Sequence, residues 1–329
     1  MSRFKLIASL IGLMLAACSS QISDRVNKET IKISVITPLT GQLESNDRLT
    51  KTDVTLHFMN PSIMRFLFPS DAIKPKKPDS TFIDSIAVLK EMGYQISFVS
   101  LESLHQGKYQ VFPAISENET ILYRGWMMTH DEYTTLSNGI SAHKATMLTN
   151  PKTYLQCHHL PNWYPLISEF TPKTLIFPPD ADLKTELETL NWPSYFIKDY
   201  VKSLKIASGS LLESTDDVPQ LIANMIKFRQ GIEGGFCVRE VEEFVPDSET
   251  RYFVVQGIPY AHEPEHRIPK IVHQVADRIN SPFFTIDVVQ HRDGRDRVVE
   301  LGDGQVSDLV GWTPQRLAAI IAAIFPPSY

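Results

Sequence analysis

Three cysteines in 329 residues, Cys18, Cys157 and Cys237, are too few and too scattered for a disulfide framework, and none stands at CxxC or other metal-ligand spacing. A basic surplus is also missing. The formal net charge of −6 argues against a general nucleic-acid binder, while local basic patches could still serve phosphates. Long apolar runs are scarce: Leu6 to Leu15 is too short to span a bilayer as a mature helix. What is present, 43% hydrophobic and 21% charged residues, is an ordinary globular composition that predicts little long disorder. The length leaves room for two or three subdomains.

The N-terminus carries Arg3 and Lys5, the short apolar core and then Leu15-Ala16-Ala17-Cys18, which resembles a bacterial lipoprotein signal over residues 1–18, with Cys18 as the lipidated residue. Ile31 to Ile36 reads as a strand ending at Pro38 and Gly41, similar to the opening strand of periplasmic solute-binding proteins. Glu44 to Pro61 is polar and unpatterned, so residues 19–63 are expected to be a linker or fusion remnant ahead of an enzyme that begins near Met64.

From Met64 the pattern alternates. Met64 to Phe68 predicts a strand, and Phe82, Ile86, Leu89 and Lys90 fall at helical spacing, capped by Asp79 or Ser80 and stopped at Gly93; Tyr94 to Val99 is the next strand. Ile121 to Tyr123, a helix over Asp131 to His143, Thr146 to Leu148 and a helix opened by Asn150-Pro151 extend the alternation, which argues for a parallel sheet covered by helices. Arg124 stands where a strand ends, and could hold a substrate carboxylate in bidentate fashion or serve as a buried structural arginine. Cys157-His158-His159 face different ways on a helix and read as polar helix-end residues rather than a metal site.

The second half begins at Thr171 to Phe177, with helices predicted over Leu183 to Leu190, Val218 to Arg229, Ile271 to Ile279 and Pro314 to Ile324, the last capped by Thr313. Tyr195 to Lys198 and Phe236 to Phe244 read as strands. Phe284, Ile286 and Val288 alternate with polar residues, Asp293-Gly294 marks a turn, and Val298-Val299 resumes the apolar run, so Phe283 to Leu309 predicts a hairpin. Asp287 and Glu300 then sit on strands that can pair, where repulsion favours an intervening cation such as Mg²⁺; the same run also fits a hairpin with solvent-facing acids.

Taken in order, FIKDYVKSLK (196–205), GGFCVREVEEF (234–244), ETRYFVVQG (249–257) and ELGDGQVS (300–307) resemble the ATP-grasp superfamily, more narrowly its bacterial arginine- and lysine-rich clade. The likeness runs from about Met64 to the C-terminus. It implies an α/β chain: a Rossmann-like pre-ATP-grasp domain over 64–170 and a two-lobed α+β ATP-grasp domain over 171–329. It also implies ATP and Mg²⁺. Lys198 would contact the α-phosphate and the adenine side, and Lys202 would lie on the loop closing over the phosphates, with Lys205 also available. Glu242 or Glu243 would bind the ribose. Arg239 and Arg251 would be the clade's two arginines, stabilising the transferred phosphoryl group or, as isolated strand residues, serving as ion-pair partners. Asp287 and Glu300 match the metal carboxylates. The asparagine usual two residues after the Glu is Gly302 here, which leaves the third ligand to Asp303 or, secondarily, Gln305.

The reaction so implied is an ATP-dependent carboxylate-amine ligation through an acyl phosphate, with an amino-acid, peptide or protein substrate and no nucleic-acid partner. The rival readings are a nucleotide-binding relic or assembly factor of the same fold, similar to a eukaryotic relative in translation-initiation assembly, and a lipid-anchored solute-binding lipoprotein. A start near Met64 implies a cytoplasmic enzyme. A used leader implies a periplasmic protein anchored through Cys18, where ATP is not supplied.

Overall fold

In the computed structural model, residues 32–36, 51–55, 63–190, 192–201, 203, 210–229 and 231–327 are described. Cys18, Lys202 and Lys205 lie outside them, so the lipidation and phosphate-loop expectations fall beyond the described residues. The chain divides into Met1–Pro61 and Ser62–Tyr329. In the first unit β1 (Lys32–Ile36) pairs antiparallel with β2 (Lys51–Thr55), Lys32 opposite Thr55. The second of these strands falls within Glu44 to Pro61, the run expected to be unpatterned.

The second unit opens with a five-stranded sheet, in the order β5 (Val111–Phe112), β4 (Gln95–Val99), β3 (Met64–Pro69), β6 (Thr120–Tyr123), β7 (Thr146–Met147). All its pairings are parallel except that of the β5 edge. Alternate side chains of the central strand β3 serve opposite faces. Phe66 and Phe68 pack with Ile86 and Leu89 of α1 (Ile83–Glu91) and with Leu317 and Ile321 of α9 (Pro314–Ile324), while Leu67 joins Tyr133 and Leu136 of α3 (His130–Ala142). Asp79 accepts from the Thr81 amide and caps the short 3-10 turn that leads into α1. Thr129 and Glu132 close a capping box on α3. Arg65 of β3 and Glu119, the residue before β6, form a buried two-point ion pair, both contacts 2.7 Å.

Two antiparallel sheets follow, β10 (Leu211–Leu212), β9 (Tyr195–Asp199), β11 (Phe236–Glu240), β8 (Thr174–Phe177), and β13 (Ile258–Tyr260), β12 (Thr250–Val255), β14 (Phe283–Gln290), β15 (Asp296–Asp303). Leu183 and Leu187 of α6 (Leu183–Glu188) and Leu221 and Met225 of α7 (Val218–Arg229) cover Ile197 and Val238 of the first sheet. On the second sheet Tyr252, Val254, Ile286 and Leu301 face Val272 and Val275 of α8 (Lys270–Ala276) and Trp163 of α5 (Leu160–Ile167). A parallel α/β layer followed by two α+β lobes is the architecture that the resemblance implied.

Cys157 differs from expectation. At the end of α4 (Pro151–His158) it is wholly buried in the core of the second sheet, and His158 is buried with its ring stacked on Tyr154 at 4.9 Å. Burial pushes the Cys157 thiol far up, as for a core residue and not a metal ligand. His159 turns away and meets Glu233 at 3.0 Å.

Candidate active site

The register of the second sheet sets three charged residues in one row. Arg251 on β12 lies opposite Asp287 on β14, and Asp287 lies opposite Glu300 on β15. Residues directly across an antiparallel pair share a face, here the one turned away from α5 and α8. The Arg251 fork donates to both Asp287 oxygens, Nε to Oδ1 at 2.8 Å and NH2 to Oδ2 at 2.6 Å, and its NH1 donates to the Asp308 carbonyl at 2.9 Å.

Two further cations come from the other sheet. Lys198 on β9 places Nζ 3.2 Å from Glu300 Oε1, an ion pair that joins the two lobes. On β11, Cys237 pairs with Lys198 and Arg239 with Phe196, so Arg239 shares the face of Lys198. Arg239 donates from NH1 to the Val299 carbonyl at 2.5 Å and from NH2 to the Thr171 hydroxyl. Its Nε is buried without a partner.

The electrostatics follow from burial against charge. Burial pushes the Arg239 guanidinium down to about 10, although the Glu300 charge opposes it. Burial also raises the Asp287 carboxyl, and the Arg251 fork only partly offsets this. For Glu300 burial acts upward too, but the Lys198 ammonium and the two arginines outweigh it and hold the carboxyl below its ordinary value. Arg251 is held up by Asp287 and Glu300 against its own burial. Three cations face two carboxylates, so the cluster carries a net positive charge and suits a polyanion.

The donor set fits Mg²⁺ shared with phosphates, since that ion takes one or two carboxylates and fills its shell with phosphate and water oxygens. One pair further along the same face, Thr285 stands opposite Gly302, and the Thr285 and Ser307 hydroxyls meet at 2.8 Å. A Cβ on Gly302 would lie 2.9 Å from both hydroxyl oxygens, so this hydroxyl pair occupies the space a side chain there would need. Sequence reasoning did not find the pair: Ser307 closes the ELGDGQVS run, but only the chain reversal after β15 brings its hydroxyl back to Thr285.

Other expected residues are placed elsewhere. Asp303 is three positions from Glu300, and strand alternation turns it to the opposite face, where it is fully buried and accepts from the Gln305 amide and side chain, each at 3.0 Å. It does not join Asp287 and Glu300, which corrects its reading as the third ligand. Gln305 does not join them either: its Nε2 donates to Tyr133 OH at 2.8 Å and its Oε1 accepts from the Tyr123 amide at 3.3 Å. Among the described residues no group of three or more His, Cys, Asp or Glu could hold a metal ion, so the fit to Mg²⁺ rests on two carboxylates.

Arg124 is buried and donates from NH1 to the Gly304 and Ser307 carbonyls, at 2.5 and 3.0 Å. These two bonds tie the end of β6 to the segment after β15; neither partner is a helix terminus. Glu242 is clamped by Arg297 at 2.7 and 2.6 Å, whereas Glu243 is exposed with Arg292 3.7 Å away. Of the two candidate ribose-binding carboxylates, Glu242 is held in a two-point ion pair and Glu243 is not.

Residues 171–324 match the family model of an ATP-grasp domain, family 3 of the arginine- and lysine-rich clade. This part of the chain is an ATP-grasp domain of that clade, the one the motifs resembled. No curated protein matches by sequence. Among solved structures the chain is similar to the D-cycloserine synthetase DcsG, at 12% identity with a TM-score of 0.56, covering 80% of this chain and 99% of that one. The D-alanine-D-alanine ligase from Coxiella burnetii gives 10% identity and a TM-score of 0.55, over 79% and 94% of the two chains. The ATP-grasp ligase PsnB, seen with precursor peptide PsnA2 and AMPPNP, gives 12% and 0.50, over 82% and 99%. At these identities the likeness is one of fold, and it spans the neighbours nearly end to end.

Proposed function

We propose that the chain is an ATP- and Mg²⁺-dependent ligase that joins a carboxylate to an amine through an acyl phosphate. The observation that carries this is the row Arg251, Asp287, Glu300 on one lobe, met by Lys198 from the other. The ligases and synthetase of the same fold, one of them seen with a peptide and a nucleotide analogue, support it.

Bound Mg²⁺ would neutralise the phosphates and hold them for in-line transfer. Asp287 and Glu300 would hold that ion, with Arg251 fixing the orientation of Asp287. Lys198 would exchange its Glu300 partner for a phosphate oxygen. Arg239, whose Nε has no partner, would stabilise negative charge on the transferred group. A substrate carboxylate oxygen attacks the γ-phosphorus, the bond to the bridging oxygen breaks and ADP leaves. The amine nitrogen then attacks the acyl carbon, phosphate departs with the bonding pair, and the amine loses its proton to water. No side chain has to act as an acid or base, in keeping with a site built from lysine, arginine and paired acids.

The test is thermal unfolding of the full chain with and without Mg-ATP, for wild type and Glu300→Gln. Ligand at about a hundred times its dissociation constant adds about 2.7 kcal/mol, or several degrees for a domain of this size. The expected result is a Mg-dependent shift lost in Glu300→Gln, together with ADP release when amino acids or peptides are added. Absence of a shift in wild type would sink the ligase reading. A second reading, a nucleotide binder that no longer ligates, is favoured by the missing side chain at Gly302 and the clamp on Asp287. It would show the shift without ADP release.

A further inference from the structure

The C-terminal edge of the five-stranded sheet carries charge and apolar surface for which the ligation chemistry has no use. After β3, the loop 70–79 exposes Lys74, Lys76 and Lys77. Its two half-buried acids are engaged within the loop and its neighbour. Asp71 Oδ1 accepts from the Ile73 and Lys74 amides at 3.0 and 2.7 Å, and Asp79 accepts from the Thr81 amide at 2.8 Å and the Trp126 indole at 2.9 Å. Among the described residues none of the three ammoniums has a carboxylate partner, and Lys76 instead sits over the Phe112 ring at 5.1 Å. In a chain of net charge −6, three neighbouring unpaired lysines make a local patch complementary to acids.

Beside them the sheet edge presents apolar side chains that are held yet uncovered. Trp126 is 44% exposed although its indole is anchored on Asp79 and its ring meets Phe82 at 5.4 Å. Met127 and Phe112 are 39% and 42% exposed. A fixed, exposed Trp next to cations is what an anchoring point for a peptide requires, because little freedom is lost on binding.

This edge adjoins the site. Trp126 follows two residues after Arg124, whose guanidinium holds the Ser307 carbonyl, and the Ser307 hydroxyl meets Thr285 on the face of Asp287 and Glu300. Resting on the ligase reading for its place in the reaction, we infer that this edge binds an acidic peptide segment of the substrate. Its carboxylates lie on Lys74, Lys76 and Lys77, and an apolar side chain lies on Trp126 and Met127. A nucleic acid is the poorer fit, since three lysines within one short loop do not track a phosphate backbone and the chain as a whole is acidic.

The experiment uses the full chain and a fluorescein-labelled Glu-rich peptide carrying one Leu, read by anisotropy. The Gln-for-Glu version of that peptide and an oligo-dT strand are run in parallel. Binding of the acidic peptide that weakens with salt, is about tenfold poorer for the Gln peptide, and is lost in the Lys74→Glu, Lys76→Glu, Lys77→Glu triple variant is expected. Retention of the Mg-ATP thermal shift in the triple variant shows that its fold and nucleotide site are intact. Equal binding of the two peptides, undiminished binding by the triple variant, or preferential binding of oligo-dT would each overturn the inference. The two readings fail separately: a Mg-ATP shift without peptide binding removes only the peptide edge, and peptide binding without a shift removes only the ligase.

Discussion

Replacing Asp303 by Asn separates a buried structural carboxylate from a metal ligand. Asp303 Oδ1 accepts two hydrogen bonds from Gln305, while Oδ2 is buried without a partner. Burial pushes its carboxyl from 3.8 up to about 7, against the pull of Gln305 and Arg124. The folded value lies above the unfolded one, so the stabilising form is the protonated one. Its contribution is fully present below pH 3.8 and is lost as pH rises through about 7. Asn keeps the Oδ1 acceptor and does not titrate. Between about pH 5 and about pH 8, wild type should lose about 3 kcal/mol relative to Asp303→Asn, at 1.36 kcal/mol for each decade of proton affinity. The assay is urea unfolding of both proteins at the two pH values; the other carboxylates titrate alike in both and cancel. The Mg-ATP shift should survive in the variant, because Asp303 faces away from Glu300. Parallel pH dependence in the two proteins, or loss of the Mg-ATP shift, would refute the reasoning.

Two substitutions away from the site probe what holds its frame. Glu119→Ala leaves Arg65 charged and unpaired between neighbouring strands, and should cost about 3–5 kcal/mol in chemical denaturation. Gly125→Ala would place a Cβ 2.4 Å from Tyr123 OH and 2.5 Å from the Pro69 ring. Urea unfolding should show a loss of about 1–3 kcal/mol, from overpacking where β6 passes into the substrate edge.

Legibility in the sequence divides along the range of the forces involved. Elements set by local chemistry were readable: the Asn150-Pro151 and Thr313-Pro314 starts, the helix over Val218–Arg229 and the turn at Asp293-Gly294 are all where capping and periodicity put them. That Asp287 and Glu300 lie on strands that pair was readable too, but not that they face each other: the turn sets Val288 opposite Val298, and only the register shift between Asp287 and Val288 brings Glu300 opposite Asp287. What depends on distant partners was not. Nothing near Arg124 in sequence announces the Gly304 and Ser307 carbonyls that it binds, nor does the run at Cys157 announce the sheet that buries it. Asp303 is a different case. Its placement follows from a rule available without any structure, since an odd separation along a strand puts two side chains on opposite faces, and residues 300 and 303 are three apart. The motif drew Asp303 toward the metal by its charge; the pleat sends it to Gln305. By the same parity Gly302 is the position on the Glu300 face, and there the chain has no side chain but the hydroxyls of Thr285 and Ser307.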